Sequence, residues 1–158
     1  MTRPRFHSLL GKPRVIAMFF ASCHGTCLLT ADSMKRIEAS LPSGMRDQVG
    51  FVLISIDPRG DTSSALRRYR SENQLSASRW TLLRGTTGSA EILATSLGTT
   101  FVPSSTRRFL HSPVLTVLDR YEYVIHQQIG TLPDLAKVVY VLNQLPNVVC
   151  DKATARTE

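Results

Sequence analysis

Residues 15–27, VIAMFFASCHGTC, decide the fold that the sequence predicts. Residues 15–21 are apolar without interruption, which is typical of a strand buried on both faces of a parallel-type sheet. Cys23 and Cys27 follow at once, so the strand should deliver two thiols to a turn at its carboxyl end. Open α/β sheets place their functional sites at that end. Such a pair could exchange disulfides, hold a metal ion or cross-link the chain.

The rest of the chain alternates between strands and helices and predicts an α/β domain with the thioredoxin arrangement. An N-terminal βαβ unit and a C-terminal ββα unit form a central mixed sheet flanked by helices, with an inserted strand-helix segment between them. Asp61 or Thr62 should cap the second helix and Ser89 the third, with Gly98 just past the end of the third. Further strands are predicted at 50–57, 79–83, 112–119 and 122–130, and helices at 30–40, 62–72, 89–97 and 131–145.

The length of 158 residues suits a single domain, 1–158, with loose ends at 1–12 and 147–158. The net charge is +7, and arginines supply most of it, with groups at 67–70 and 107–108. No nucleic-acid motif accompanies this charge, so we expect a solvated face, with an acidic protein as the best functional partner. No apolar run reaches the length of a membrane span, and the N-terminus lacks a signal peptide. We therefore expect a cytosolic protein, or one whose leader or anchor is absent from this chain.

The spacing of Cys23 and Cys27 bears on what the two thiols can do. On a regular helix, residues i and i+4 hold their Cβ atoms about 5–6 Å apart, farther than the roughly 3.5–4.5 Å of a disulfide. Two thiolates bound to one metal ion can stand farther apart than that. A disulfide remains open if Cys23 lies in the turn before the helix. The nearby helix N-terminus should also lower the pKa of at least one thiol.

A metal site needs a further ligand, and the sequence contains four histidines. His7 falls in the N-terminal segment, His24 within the turn itself and His126 in the middle of the last strand. His111 immediately precedes the strand at 112–119, and the loop entering that strand should pack against the dithiol turn. Two thiolates and one imidazole form a soft ligand set that suits Cu(I) and accepts Cu(II).

These motifs resemble the Sco/SenC family of thioredoxin-fold copper proteins, which help to assemble the copper centre of cytochrome c oxidase. The resemblance implies that Cys23, Cys27 and His111 bind copper and that the chain is a metallochaperone. Its partner would be the copper-bearing subunit of cytochrome c oxidase or another copper acceptor protein. The matching segments occur in family order within residues 10–145, and they are FFASCHGTC (19–27), VLISIDPRGDT (52–62), WTLLRGT (80–86) and HSPVLTVLD (111–119).

The family is usually exported and held to a membrane by an N-terminal helix, facing the periplasm in bacteria. The resemblance therefore implies a periplasmic location, with this chain as the soluble, monomeric part of a membrane-anchored protein. The chain also departs from the family pattern. His24 and Leu28 stand where the family has prolines after the cysteines, Gly60 replaces an arginine, and Leu110 replaces an acidic or amide residue. The missing prolines predict a less rigid turn, in which His24 can compete as a ligand.

The alternative function is that of a thiol-disulfide reductase, in which Cys23 attacks a substrate disulfide and Cys27 resolves the mixed disulfide. His111 would then modulate the pKa of the thiols. A cis peptide bond before Pro113 would favour this function. A peroxiredoxin-like peroxidase ranks lower, because no Pro-x-x-x-Thr lies just ahead of a candidate peroxidatic cysteine, Cys23 or Cys27.

Four further residues have structural interpretations. Cys150 is expected to be an idle thiol, and Trp80 is expected to lie in the core. Asp57 and Asp61 are more often part of a turn and of a helix cap than of chemistry. A role for Asp57 beside the dithiol is the less favoured interpretation.

Overall fold

The computed structural model describes residues 11–102 and 110–154. These residues alternate between strands and helices along the chain, as the hydrophobic pattern predicts. In chain order the elements are β1 (Arg14–Phe19), α1 (Thr26–Ser40), α2 (Ser43–Arg46), β2 (Gly50–Ser55), α3 (Ser63–Glu72), β3 (Trp80–Leu83), α4 (Thr87–Ser96), β4 (Phe101–Val102), β5 (Leu110–His111), β6 (Val114–Leu118), β7 (Val124–Ile129) and α5 (Leu135–Thr154).

The centre of the molecule is a five-stranded mixed sheet with the spatial order β3-β2-β1-β6-β7. Strands β1, β2 and β3 run parallel, whereas β6 is antiparallel to β1 and β7 is antiparallel to β6. All six residues of β1 are buried, because the strand has neighbours on both sides and helices cover the sheet. The predicted α/β class and mixed central sheet are confirmed.

The inserted strand-helix segment, β3 and α4, is also confirmed. It is followed by a small antiparallel ladder of β4 and β5 that the sequence did not predict, in which the backbone of Phe101 lies opposite that of His111. The backbone N–H of Ser112 extends this pairing by donating to the carbonyl of Thr100 at 2.9 Å. The ladder therefore fixes the backbone just before β6.

Several helix boundaries differ from the predicted ones. Helix α1 begins at Thr26, earlier than predicted, and α5 continues through Pro146 to Thr154 instead of ending near residue 145. Thr62 caps α3 as predicted, since its side chain accepts a hydrogen bond from the N–H of Ala65. The predicted cap of α4 was wrong, because the side chain of Thr86, not Ser89, accepts there. Residues 1–10 and 155–158 of the predicted loose ends lie outside the described residues.

The core fills both sides of β1 and β2. Trp80, predicted in the core, is buried and stacks on Phe51 with 5.1 Å between ring centroids. The Nε1–H of Trp80 donates to the Glu38 carboxylate at 2.8 Å, which joins β3 to α1. No helix within the two described stretches is both long and apolar enough to cross a membrane.

Candidate functional site

Cys23 and Cys27 lie at the carboxyl end of the central strand. Strand β1 ends at Phe19, and the backbone N–H of Cys23 donates to the carbonyl of Phe20 at 3.1 Å, which closes a tight turn. Cys27 is the second residue of α1, and Gly25 stands at the N-cap position without a side-chain cap bond. Cys23 therefore lies before the helix, and the regular i, i+4 helical arrangement is not the one observed. Both cysteines are free thiols.

The two thiols differ in environment. The side chain of Cys27 is fully buried, whereas that of Cys23 is partly exposed. Burial raises the pKa of the Cys27 thiol, and its hydrogen bond to Cys23 raises it further, against a lowering by the backbone N–H of Phe20. The expected lowering by the helix N-terminus is therefore outweighed at Cys27. Cys27 is a thiol at neutral pH, and Cys23 is the sulfur that an incoming partner can reach.

A buried carboxylate holds the dithiol turn to the sheet. Both oxygens of Asp61 accept the backbone N–H of Ala21, at 3.0 and 3.1 Å, and Oδ2 also accepts the hydroxyl of Ser55 at 2.6 Å. Asp61 is only 2% exposed. The helix-cap interpretation of Asp61 was wrong, because Thr62 takes that position. In the sequence, the position of Asp61 at the end of the turn that begins at Asp57 indicates a carboxylate directed back at the sheet.

Asp57 forms the predicted turn. Its Oδ1 accepts the backbone N–H of Gly60 at 3.0 Å, and its carbonyl accepts the N–H of Asp61 at 2.9 Å. Its own N–H is held by the Ser55 hydroxyl at 3.1 Å. The turn aims Asp61 towards Ala21, so Asp57 supports the dithiol turn through Asp61.

The backbone of His111 lies at the same edge of the sheet as the dithiol. In the antiparallel register of β1 and β6, Ala17 lies opposite Leu115. Strand β6 therefore starts beside the end of β1 from which the dithiol turn emerges. His111 is the last residue of β5, three residues before β6 begins. Sequence reasoning placed it in the loop entering this strand, and its backbone is found there.

Two other histidines, His24 and His126, and the peptide bond before Pro113 lie within the described residues. His24 is exposed in the dithiol turn, and His126 is half-buried on β7, where its Nε2 lies 3.1 Å from the Gln128 amide nitrogen. No peptide bond in the described parts of the chain is cis, so the bond before Pro113 is trans. His7 lies outside the described residues.

A preassembled metal cluster is not found among the described side chains. Where side chains are described, no group of three or more His, Cys, Asp or Glu residues is gathered to hold a metal ion. Cys23 and Cys27 alone give two soft sulfur donors within hydrogen-bonding distance of each other.

The arginines near α3 do not act as one group. Arg67 and Arg68 are exposed, but Arg70 is half-buried and its guanidinium donates to the carbonyl of Trp80 at 3.1 Å. Residues 107–108 lie outside the described residues. The exposed basic groups of α3 stand on the helix that follows the Asp57–Asp61 turn.

A mixed sheet whose central strand ends in one accessible and one buried cysteine defines a thioredoxin-like dithiol protein. The family model described as SCO1/SenC matches residues 5–128. The chain therefore belongs to the SCO1/SenC family, as its motifs predicted.

Solved structures share the fold. A SCO1/SenC family lipoprotein from Bacillus anthracis is similar with a TM-score of 0.80 and 18% identity, over 89% of this chain and 84% of that chain. Yeast Sco1, whose structure contains bound copper, is similar with a TM-score of 0.76 and 18% identity, over 96% of this chain and 86% of that chain. The predicted thioredoxin-like fold is confirmed.

A curated relative from Stutzerimonas stutzeri, whose name assigns it copper binding, is 31% identical over 98 residues. The match covers 62% of this chain and 47% of that protein, so this chain spans about half the length of the curated relative.

Proposed function

We propose that this chain is a copper-binding assembly factor in which Cys23, Cys27 and His111 hold one copper ion and pass it to an acceptor protein. The observation that carries the proposal is the pair of free thiols held together at the carboxyl end of β1, in a chain of the SCO1/SenC family. The copper-bound yeast relative and the name of the Stutzerimonas protein support the choice of metal.

The thiol pair fits a soft metal ion. Thiolate ligands select Cu(I) over hard cations, and two sulfurs suit its low coordination number. Cys27 must lose its proton to become a ligand, and this proton can leave through Cys23, to which it is hydrogen-bonded. Copper binding should therefore release protons and weaken in acid.

His111 is proposed as the third ligand from the placement of its backbone. The β4–β5 ladder holds residues 110–111 at the edge of the sheet where the dithiol turn lies. An imidazole added to two thiolates gives a site that can also accept Cu(II). His24, exposed within the turn, is the competing imidazole.

Transfer requires that an acceptor reaches the site. Cys23 is partly exposed, and Leu28 and Leu29, just after Cys27, are 40% and 50% exposed. An acceptor thiolate can approach over this apolar rim and displace Cys23 first. By family resemblance the acceptor is the copper-bearing subunit of cytochrome c oxidase or another copper acceptor protein. The location proposed is the periplasmic face of a membrane, in keeping with the lipoprotein relative from Bacillus anthracis.

The test is an anaerobic titration of the reduced protein with Cu(I) against a competing chelator. All variants carry Cys150→Ser, so that the third cysteine contributes nothing. The parent should bind one equivalent, and His111→Ala should bind at least about tenfold more weakly, as expected for a lost ligand or its support. His126→Ala is the matched control and should bind like the parent, since His126 lies on β7.

The outcomes distinguish two questions: which residues bind the copper ion, and whether the chain binds copper at all. If the parent binds Cu(I) and His24→Ala weakens binding in place of His111→Ala, the third ligand is His24. If the parent binds no more tightly than the Cys23→Ser variant, the copper function fails for this chain.

The second candidate function, thiol-disulfide exchange, is favoured by the asymmetry of the two cysteines. The accessible Cys23 is placed to attack a substrate disulfide, and the buried Cys27, hydrogen-bonded to it, is placed to resolve the mixed disulfide. A chain that fails to bind copper but reduces a model disulfide, with activity lost in Cys23→Ser, would have this function.

A further inference from the structure

Four of the five central strands end at the same edge of the sheet. One residue of each strand lies in a single row across the sheet, in the order Leu82, Leu53, Ala17, Leu115 and Gln128. Strands β1, β2, β3 and β7 run past this row in one direction, whereas β6 runs in the opposite direction. The edge where the four strands end, which we call the dithiol edge, is formed by the first turns of the helices that follow and by residues 20–25, 56–62, 84–86 and 130–134.

One half of the dithiol edge is apolar. Ile129, one residue past the row, is 79% exposed, and Leu132 is 88% exposed, the highest values among the large apolar side chains of the described residues. Leu28 and Leu29, also exposed, stand in the first turn of α1 directly after Cys27. Strand β7 is two strands from β1, a distance of about 10 Å at the usual strand spacing. Exposed apolar groups therefore occupy this edge from the dithiol turn to the end of β7.

The other half of the dithiol edge is cationic. Arg84 directly follows β3, Arg59 lies in the turn after β2, and both side chains are exposed. Neither arginine forms an ion pair with a carboxylate in the described parts of the chain. Helices α1, α3 and α4 also begin at this edge without an acidic residue in their first turns, so their positive dipole ends add to the field of the arginines.

The carboxylates at this edge accept backbone N–H groups. The bonded pairs are Asp57 with Gly60, Asp61 with Ala21, and Asp134 with Lys137. Because these acids are fixed to the backbone, none of them neutralises Arg59 or Arg84 by direct contact. The two arginines are therefore available to anionic groups of a partner.

We propose that the dithiol edge is the docking surface for a protein whose contact face joins an apolar patch to a group of carboxylates. The apolar patch of the partner packs on the apolar half of the edge, and its carboxylates lie opposite Arg59 and Arg84. Cys23 then faces the boundary between the two. Charge complementarity steers and orients the partner, and apolar contact retains it. This docking role rests on the proposed function, which makes the partner the copper acceptor.

The chemistry of the edge favours a protein over other occupants. A lipid surface offers neither a thiol nor an imidazole to the partly exposed Cys23. A second copy of this chain brings the same net charge of +7, so the two copies would repel each other. An acidic protein surface meets the arginines and can also present a sulfur or nitrogen ligand to the site.

The test measures how the edge selects among small partners that all react with Cys23. Each probe is an extended peptide of about seven residues, about 23 Å long, which suffices to cross five strands whose outer members lie about 19 Å apart. A cysteine at its centre is activated as a mixed disulfide with thionitrobenzoate. Cys23, having lost its proton to solvent, attacks the sulfur of the peptide, forms a disulfide with it and expels coloured thionitrobenzoate, the better leaving group. The parent carries Cys150→Ser, and the initial rate of colour release reports this step.

Three peptides separate charge from apolar contact. The first carries leucines on one side of its cysteine and aspartates on the other, and it is made in both orders. The second has lysines in place of the aspartates, and the third has glycines in place of the leucines. The parent should react with the first peptide at least about threefold faster than with the second, through electrostatic steering, and faster than with the third, through apolar contact. High salt should remove the preference for aspartates and retain that for leucines.

The variant with both Arg59→Gln and Arg84→Gln should lose the preference for aspartates over lysines and keep that for leucines. The matched control combines Arg36→Gln with Arg120→Gln. It removes the same charge from exposed arginines in the middle of α1 and in the β6–β7 hairpin at the opposite edge of the sheet. This control should keep both preferences.

The variant with both Ile129→Thr and Leu132→Ser should lose the preference for leucines and keep that for aspartates. Its control is Val124→Thr, an exposed position at the start of β7, away from the dithiol edge. Rates with different peptides are compared within each protein, so a general change in the reactivity of Cys23 cancels.

A parent that reacts with the first peptide no faster than with the other two would overturn the proposal, as would a preference for aspartates that persists without Arg59 and Arg84. The parent should also stay in solution with vesicles of phosphatidylcholine and phosphatidylglycerol. Cosedimentation that is lost in the Arg59 and Arg84 variant but kept in its control would make the edge a membrane surface and overturn the proposal too. Neither assay contains copper, so a failed copper titration and a failed docking test are separate results.

Discussion

The carboxylate of Asp61 accepts the backbone N–H of Ala21 through both oxygens, at 3.0 and 3.1 Å, across 40 residues of sequence. Ala21 lies two residues before Cys23, so the position of the accessible thiol depends on a buried acid at the start of α3. The Ser55 hydroxyl, which donates to the same carboxylate at 2.6 Å, ties this contact to the end of β2. One side chain therefore joins the end of β2 to the dithiol turn that follows β1.

Asp61→Asn should destabilise the fold by about 1–3 kcal/mol, because the amide nitrogen cannot accept and a buried donor loses its partner. The free energy of unfolding from urea titration measures the effect. Asp32→Asn, an exposed change on α1, is the control and should change stability little. Equal stability of Asp61→Asn and the native chain would show that the turn does not depend on this carboxylate.

The difference in stability between the native chain and the Asp61→Asn variant should change with pH in a definite direction. Burial raises the pKa of Asp61 above its ordinary value of 3.8, against the hydrogen bonds from Ser55 and Ala21. The folded state then holds a proton that the unfolded state releases, so this stabilisation is complete below pH 3.8 and is lost as pH rises through the folded pKa.

The amide of the Asp61→Asn variant does not titrate, so the stability advantage of the native chain over that variant should be largest in acid and shrink towards neutral pH. Urea titrations of both proteins at a series of pH values give the comparison. An advantage that grows with pH would mean that the hydrogen bonds outweigh burial and that the pKa of Asp61 is lowered.

Much of the fold follows from local patterns, but the site depends on contacts between distant residues. The continuous apolar run of β1 predicts a central strand, and the cysteines directly after it predict the dithiol turn. The start of α1 was missed because Gly25 gives no side-chain cap, and the end of α5 because Pro146 is normally a helix breaker.

The hydrophobic pattern of the sequence does not predict the contacts at the site. Asp61 is charged and would be expected at the surface, yet its hydrogen-bond donors come from the chain just after β1 and from the end of β2. The β4–β5 ladder has two residues in each strand, too few for any periodicity. The burial difference between Cys23 and Cys27 depends on how α1 packs, which the spacing of the two cysteines does not define.

Gly60→Ala should disturb the turn at Asp57 without unfolding the protein. A Cβ at position 60 would meet the Asp57 carboxylate, which now accepts the Gly60 N–H at 3.0 Å. The carboxylate is the end of a flexible side chain and can rotate away, so the loss should be about 1 kcal/mol, the worth of one hydrogen bond. Urea unfolding measures it.

Gly44→Ala is the matched control for this change, since a Cβ there meets nothing within 4 Å. A loss at Gly60→Ala as large as that of Asp61→Asn would contradict the prediction. It would mean that Asp57 and Asp61 hold the turn as one unit.

The two site cysteines should react with iodoacetamide at very different rates. Cys27 is fully buried and its pKa is raised, first by burial, so little of it is thiolate at neutral pH, whereas Cys23 is partly exposed. A raise of more than one pKa unit lowers the thiolate fraction more than about tenfold, and burial slows access further. Pulse labelling of the reduced protein at neutral pH, read by peptide mass spectrometry, should therefore show Cys23 modified more than about tenfold faster.

Labelling in denaturant supplies the control, because both cysteines should then react alike. Equal labelling in the folded protein would show that α1 opens at its first turn faster than the reagent reacts. Cys27 would then exchange between buried and open states, and an acceptor would have access to both sulfurs. Labelling confined to Cys23 would instead mean that copper or a disulfide must leave the site through Cys23 first.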